Sequence, residues 1–303
     1  DPEMSRGLGD VYKRQTNLCA DRGWALQADA LRSDLSRPLR DGVAALLHAQ
    51  YTDLADAPAH YDMVFITNPT SLHADALTRV RGRGGALFIE KPIFSADQTG
   101  LDLADCLPAG QKAYVAAPMR WCGVMLALKD RLPGLHPYCA RVICSSYLPD
   151  WRPGVDYRTV YSARKALGGG VTIDLIHEWD YLVELFGVPE KLYNFKGTYS
   201  DLEIDSDDLS VYIARYPTLL AEVHLDYFGR GYRRSIELFC RDGSYLADFG
   251  KGTLTLPDGT VQHYEEDVNR RYEREMEYFV DYALTGCGES CNPPALALKV
   301  LKL

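Results

Sequence analysis

Met63-Val64-Phe65-Ile66-Thr67-Asn68-Pro69-Thr70-Ser71-Leu72-His73 and Ala86-Leu87-Phe88-Ile89-Glu90-Lys91-Pro92 carry the reading of the fold. Each stretch opens as a short apolar run and closes in polar residues and a proline. Short apolar runs bounded by turn residues read as buried strands. With a helix expected over 73–81 between them, the two make a βαβ unit. The polar residues then fall at the carboxyl ends of the strands, where open α/β sheets bind ligands. A lysine in that position is placed for chemistry. Gly82, Gly84 and Gly85 precede a strand rather than a helix, so they read as a turn and not as a phosphate loop.

Working outward, further helices are expected over 40–49 and 98–106, an extended piece at 51–54 and a strand over 113–117. Pro118-Met119-Arg120-Trp121 marks the exit from a first domain, 16–118. The remainder, 119–303, changes character. Strands are expected over 138–147, 191–198, 209–216, 219–226, 235–240 and 244–249, with turn signals at Pro217-Thr218 and Asp242-Gly243. Such a succession suggests an open, mostly antiparallel sheet. One long helix over 171–186 and others over 270–284 and 295–303 complete an α+β domain. The last of these runs to Leu303, so a C-terminal truncation is expected.

The chain has 303 residues, enough for two domains. Its formal net charge of −9 argues against nucleic acid or an anionic membrane as partner, since both need a basic footprint. No apolar run reaches the length of a membrane-spanning helix. Eight cysteines are present without a C-x-x-C pair, so no metal site is expected and a cytoplasmic location is.

Residues 1–15 end in Asp10-Val11-Tyr12-Lys13-Arg14-Gln15, which resembles a translated sequencing adapter. They are expected to be non-native. Gly7-Leu8-Gly9 within them has no apolar strand before it, so it is not read as a dinucleotide fingerprint. The native chain is then expected to start near Thr16 at the end of a helix capped by Gly23, with a strand over 25–31 ending at Arg32-Ser33. The first strand and its glycine turn would be missing, and poor cofactor binding is the expected consequence.

Three segments carry candidate chemistry. Asn68-Pro69 forms a rigid turn whose backbone can approach a flat ring, with Thr67 before it and His73 after it. Lys91, ahead of Pro92, can donate to a substrate hydroxyl and stabilise developing negative charge on its oxygen. Gly168-Gly169-Gly170-Val171-Thr172-Ile173-Asp174-Leu175-Ile176-His177-Glu178 places Asp174 and His177 at i and i+3, on one face of a continuous helix. A histidine oriented by a carboxylate is a candidate general acid/base. Trp151, Arg152, Tyr157, Arg158 and Tyr161 form a basic and aromatic stretch in an acidic chain, suited to stacking on a sugar and gripping an anionic group.

On these residues the sequence resembles the glucose-fructose oxidoreductase / inositol dehydrogenase (Gfo/Idh/MocA) family of NAD(P)-dependent oxidoreductases. The resemblance implies an α/β fold: an incomplete Rossmann-type domain followed by the α+β domain. It implies hydride transfer between a nicotinamide and a hydroxyl or keto carbon of a sugar, sugar nucleotide or polyol. It makes Lys91 the active-site lysine, with Asp174 and His177 as catalytic partners. Arg32, Ser33, Thr67, Asn68, Pro69, His73, Glu90, Lys91 and Arg120 fall to NAD or NADP. Trp151, Arg152, Tyr157, Arg158, Tyr161, Asp174 and His177 fall to the substrate. The family pattern has four residues from Asp to His and this chain has three, which rotates the imidazole. Arg32 leans towards NADP, while Asp29 and Asp34 lean towards NAD. A homodimer or homotetramer is also implied. Two alternatives stay open: a non-catalytic dinucleotide-binding regulatory protein, and a glycoside-cleaving or eliminating enzyme that recycles its NAD.

Overall fold

The computed structural model describes residues 16–36, 39 and 42–303. Three sheets organise them. A parallel pair joins β1 (Asp29–Leu31) to β2 (Ala49–Tyr51). A parallel trio runs β3 (Tyr61–Ile66), β4 (Gly84–Ile89), β5 (Lys112–Val115). The third sheet has eight strands in the order β13-β12-β11-β10-β6-β9-β8-β7, all neighbours antiparallel except β6 and β9. Its strands are β6 (Cys139–Tyr147), β7 (Lys191–Gly197), β8 (Leu209–Arg215), β9 (Leu220–Asp226), β10 (Phe228–Cys240), β11 (Gly243–Asp248), β12 (Thr253–Thr255) and β13 (Val261–His263). Both expected sheets are therefore present.

The apolar runs that signalled β3 and β4 pair in register, Phe65 opposite Phe88 and Ile66 opposite Ile89. Gly84 and Gly85 belong to β4 itself, not to a turn before it. A side chain at Gly85 would bring its Cβ to 2.8 Å from the Asp62 carbonyl oxygen, so this register admits only glycine there. A parallel sheet is covered on both faces. On one face lie Leu77 and Val80 from the end of α1 (His73–Arg79), with Ala297 and Leu298 of α6 (Pro294–Leu301). On the other, α5 (Val268–Thr285) sets Met276, Phe279 and Val280 against Phe88 and Tyr114. The C-terminal helices thus return to the first domain's sheet, although the sequence division at 118 assigns them to the second.

The large sheet alternates in the same elementary way. Ala140, Val142, Cys144, Val223, Leu225, Ile236 and Leu238 point into one core with Leu182 and Trp179 of α4 (His177–Phe186). The other face, carrying Arg141, Ile143, Glu222 and His224, has no helix on it among the described residues.

Several expected elements differ. The helix expected over 40–49 is a single 3-10 turn at Ala44–Leu46, and the extended piece at 51–54 lies earlier, as β2. The helix expected over 98–106 breaks into Ala96–Gln98 and Leu103–Cys106, because Asp102 caps a new start through the Ala104 amide. The helix expected over 171–186 is two, α3 (Val171–Asp174) and α4, with Leu175 and Ile176 between them. A nine-residue helix, α2 (Gly123–Arg131), was not foreseen. Residues 16–21 are helical and Gly23 takes φ 68°, the left-handed cap conformation that glycine adopts at no steric cost. Among the described residues no helix is long and apolar enough to cross a membrane.

Candidate active site

β3, β4 and β5 end abreast, so Thr67-Asn68-Pro69, Glu90-Lys91-Pro92 and Ala116-Ala117 share one rim. Against that rim lie the first turn of α4 and the start of α6. A cavity of about 20 Å³ sits at the junction, lined by Lys91, Pro92, Val115, Ile176, His177 and Asp180 together with Asn292. That is space for about one water. Lys91 and His177, far apart in sequence, therefore line the same cavity.

His177 is the first residue of α4 and is buried. Burial, and then the charges of Lys91, Arg234 and Arg271, hold its pKa well below the ordinary histidine value. The positive end of the helix dipole works in the same direction. His177 is thus neutral near pH 7 and able to accept a proton. The Lys91–Pro92 bond is cis.

Asp174 does not share a helix with His177, because the break at 175–176 separates them. Its carboxylate is clamped by two phenols: Tyr161 donates to Oδ1 at 2.7 Å and Tyr227 to Oδ2 at 2.5 Å. Burial, and then the charge of Asp174, raise both phenol pKa values, so both remain donors. The expected orientation of His177 by Asp174 through one helix face is corrected accordingly. Tyr227 was not foreseen. It follows directly on β9, and nothing in its sequence neighbourhood marks it.

The acids after His177 have separate partners. Glu178 is fully buried and accepts two hydrogen bonds from Arg234, at 2.6 and 3.1 Å, which pins α4 to β10. Asp180 accepts from Arg120 Nη2 at 2.7 Å and Nε at 3.1 Å, a forked pair. Arg120 also donates to the Cys291 carbonyl and to Asn292 Oδ1. It is 2% exposed, with its donors engaged inside the protein. Arg120 was expected to meet the cofactor; the structure gives it a supporting place beneath the cavity instead. Charged residues inside the apolar run of α4 were the available signal, since buried charges require partners.

The loop after β3 keeps one feature of a ligand site. Asn68 Nδ2 donates to the Leu72 carbonyl, while Asn68 Oδ1 is buried without a hydrogen-bond partner. An orphaned acceptor at a strand end suits a donor from a bound molecule. His73 differs from expectation. It is fully buried, and its two ring nitrogens lie 3.1 Å from the Ile93 carbonyl and 3.0 Å from the Asn68 carbonyl. It ties the Asn68 loop to the turn after Pro92 rather than facing a ligand. Arg32 and Ser33 lie at the end of β1, where Arg32 donates to Gln50 at 2.8 Å. Asp29 accepts from Tyr61 and pairs with His48. Gly7-Leu8-Gly9 lies outside the described residues.

The basic and aromatic stretch divides. Trp151 packs edge-on against Tyr227, and the Arg152 guanidinium stands 5.9 Å from the Tyr161 ring, so these residues gather around the Asp174 clamp. Tyr157 and Arg158 do not join them. Arg158 is held by Asp156 and Glu203, and the Tyr157 hydroxyl accepts from the Glu203 amide. Both belong to the packing of a surface loop. A larger cleft of about 630 Å³ opens on the uncovered face of the eight-stranded sheet, between Arg141, Ile143, Val211, His224 and Arg230. It is broad and holds neither the lysine nor the buried histidine, so the chemistry is assigned to the smaller cavity.

No family model and no curated protein matches the chain. Solved structures do. An oxidoreductase from Agrobacterium radiobacter, in complex with NAD+, L-tartaric acid and magnesium, has a TM-score of 0.77 at 18% identity, over 97% of this chain and 91% of that one. A levoglucosan dehydrogenase in complex with NADH gives 0.79 at 15% identity, with 97% and 91% covered. The chain shares the fold of these oxidoreductases. The WlbA dehydrogenase from Bordetella pertussis, in complex with NADH and UDP-GlcNAcA, gives 0.72 at 18% identity over 97% and 91%. Likeness at such identities is one of architecture. It places the rim of β3, β4 and β5 in a fold that binds NAD(P) in other proteins, and leaves the chemistry to be argued from the residues.

Proposed function

We propose that the protein is an NAD(P)-dependent oxidoreductase acting on a hydroxyl-bearing carbon of a sugar, sugar nucleotide or polyol. The observation that carries this is the shared cavity of Lys91 and His177 at the carboxyl ends of the parallel strands. The fold's other members, crystallised with NAD+ or NADH, support the reading.

The residues present fit a dinucleotide along the rim. Thr67, Asn68 and Pro69, with the orphaned Asn68 Oδ1, would hold its nicotinamide half, beside Glu90 and Lys91. Arg32 and Ser33 would meet the adenosine ribose. Asp29 is engaged by Tyr61 and His48, and Arg32 by Gln50, so the cofactor is NAD or NADP. When bound, the nicotinamide supplies a hydride acceptor or donor. The chain supplies the rest. Lys91 donates to the substrate oxygen and stabilises negative charge as it develops. The neutral imidazole of His177 takes the hydroxyl proton, and returns it in the reverse direction. Asp174, held by Tyr161 and Tyr227, accepts a second substrate hydroxyl, with Trp151 and Arg152 beside it.

The test is a screen of the purified protein, with NAD+ or NADP+ supplied at millimolar concentration to offset the poor cofactor binding expected of this chain, against free polyols, sugars such as levoglucosan, and UDP-sugars, following nicotinamide absorbance near neutral pH. Substrate-dependent reduction of NAD+ or NADP+ is expected. Product formed without net cofactor reduction would transfer support to the cleaving or eliminating alternative. Cofactor binding without any turnover across the panel would favour a regulatory role.

The uncovered sheet face is read as the seat of a second copy. Tyr193 and Phe195 on β7 are 63% and 73% exposed, beside Ile213 on β8, and Arg141 and Glu222 form an ion pair across the same face. Exposed aromatic area of this kind on a flat sheet marks an interface. Sedimentation should give a dimer or tetramer for the natural sequence and a monomer for Y193D/F195D. A monomeric natural protein at micromolar concentration would refute this reading.

A further inference from the structure

Arginines and lysines that are not exposed have hydrogen-bond or ion-pair partners almost throughout the described residues: Arg22 with Asp281, Arg83 with two carbonyls, Arg274 with Glu266. Two depart from this. The side chains of Lys91 and Arg152 are half-buried, and neither makes a hydrogen bond or an ion pair among the described residues. Lys91 has a use, at the reacting oxygen. Arg152 has so far only a place beside Asp174. Its one side-chain contact is with a ring, the guanidinium lying over Tyr161. Such a contact steadies a cation without neutralising it. The acids of this region are committed elsewhere. Asp156 and Glu203 take Arg158, and Asp174 accepts from Tyr161 and Tyr227. A charge taken partly out of water without a counter-charge is costly, and a ligand that brings the counter-charge removes that cost.

The placement agrees with the charge. Trp151, just before Arg152, donates through its indole to Ser146 Oγ at 3.0 Å and packs edge-on against Tyr227. Tyr161 keeps 37% of its surface exposed, so the aromatic floor under the guanidinium is open to a ligand. Arg152 and Asp174 hold opposite ends of that one phenol: the guanidinium its ring, the carboxylate its hydroxyl. Asp174 in turn stands three residues before His177. A sugar seated on Asp174 therefore lies against the phenol that Arg152 covers. The planar fork of an arginine matches carboxylate or phosphate in two parallel hydrogen bonds, and stacking on a ring leaves its N–H edges free. A neutral hydroxyl would occupy one donor and leave the charge unanswered.

We propose that the substrate is an anionic sugar, and that Arg152 selects it by gripping a carboxylate or phosphate on a part of the sugar remote from the oxidised carbon. This rests on the oxidoreductase reading of the site and narrows it: uncharged sugars and polyols become poor substrates. A sugar acid and a phosphorylated or nucleotide-linked sugar share the chemistry that Arg152 reads. Its physical part, selective binding of the anion, is testable without turnover.

The experiment uses the full chain at fixed ionic strength, with two readouts. The first is binding, followed by tryptophan fluorescence because Trp151 adjoins Arg152. Glucuronate, a hexose phosphate and UDP-glucose are each titrated against glucose. A saturable quench by at least one anion is expected, at least about tenfold tighter than any response to glucose, and lost in Arg152→Gln. The anion that binds tightest tells the sugar acid from the phosphate. The second readout is turnover with NAD+ or NADP+ supplied. Arg152→Gln should lose about ten- to a hundredfold in kcat/KM on that anion, the scale of hydrogen bonds to a charged group, and less than about threefold on a neutral sugar. Anions and glucose bound alike, or not at all, overturn the proposal without recourse to a variant. Selective binding that persists in folded Arg152→Gln, or in Arg152→Met should the first not fold, overturns it too. Efficient turnover of neutral sugars with no gain from a charged group removes the Arg152 subsite and leaves the oxidoreductase reading standing. Arg152-dependent anion binding in a protein that turns over none of the screened sugars does the reverse.

Discussion

Lys91→Ala and His177→Ala are each expected to lower turnover on the identified sugar by two to four decades, about the range for general acid–base groups. The two losses arise differently. Without Lys91 the oxygen that becomes negative has no ammonium beside it, and the buried His177 loses a cation that helps keep it neutral. Without His177 the hydroxyl proton has no acceptor in the cavity. Because both groups act on one oxygen, the double variant should lose much less than the product of the single losses, as residues that work as a unit do. A folded Lys91→Ala or His177→Ala protein with near-normal kcat/KM would refute the assignment of that residue. Losses that multiply would show that the two do not share a reacting atom, whatever cavity they line. His177 also sets an acid limit. Its lowered pKa keeps it unprotonated as pH falls below 6.5, so activity should persist further into acid than an ordinary histidine allows.

What the sequence made legible follows a physical division. Strands β3 and β4 were readable because their signal is local: a few apolar residues between turn residues. The meeting of Lys91 with His177 was readable only through resemblance, since no local rule brings β4 to a helix so distant in the chain. The break between α3 and α4 was not readable. Asp174-Leu175-Ile176-His177 has neither proline nor glycine. At the last residue of α3, Asp174 is held by Tyr161 and Tyr227, and both partners lie outside the segment. Arg120 illustrates the opposite error. An arginine after a strand and a proline looked available to a ligand, but Asp180 and Asn292, remote in sequence, hold it inside. His73 was placed correctly in sequence and wrongly in role, because its carbonyl partners are backbone atoms that no residue type announces. Partners remote in sequence decide the function of polar residues, while neighbours decide secondary structure.

Glu275 gives the largest expected effect on stability. This carboxyl sits on α5 where the helix crosses the end of β5, and it is 3% exposed. Its Oε1 accepts from the Tyr114 hydroxyl at 2.8 Å and from the Ala117 amide at 2.5 Å. Burial pushes its pKa up, with smaller contributions from Glu90 and Asp180, and the two hydrogen bonds only partly oppose them; the result is about 8 against an ordinary 4.5. The native protein then holds a proton that the unfolded chain releases throughout the window from about 4.5 to about 8. Stability falls with rising pH wherever the native state binds more protons, by about 1.4 kcal/mol per pH unit for one group. Across the window the contribution of Glu275 therefore declines by roughly 4 to 5 kcal/mol, and it is flat on either side. Glutamine keeps the Oε1 acceptor and carries no titrating proton. E275Q should thus gain on the natural protein steadily between pH 5 and 8 in denaturant unfolding, and then hold a constant lead. Parallel curves of unfolding free energy against pH for the two proteins would mean that Glu275 is ionised in the fold, and that the contact between α5 and β5 tolerates its charge.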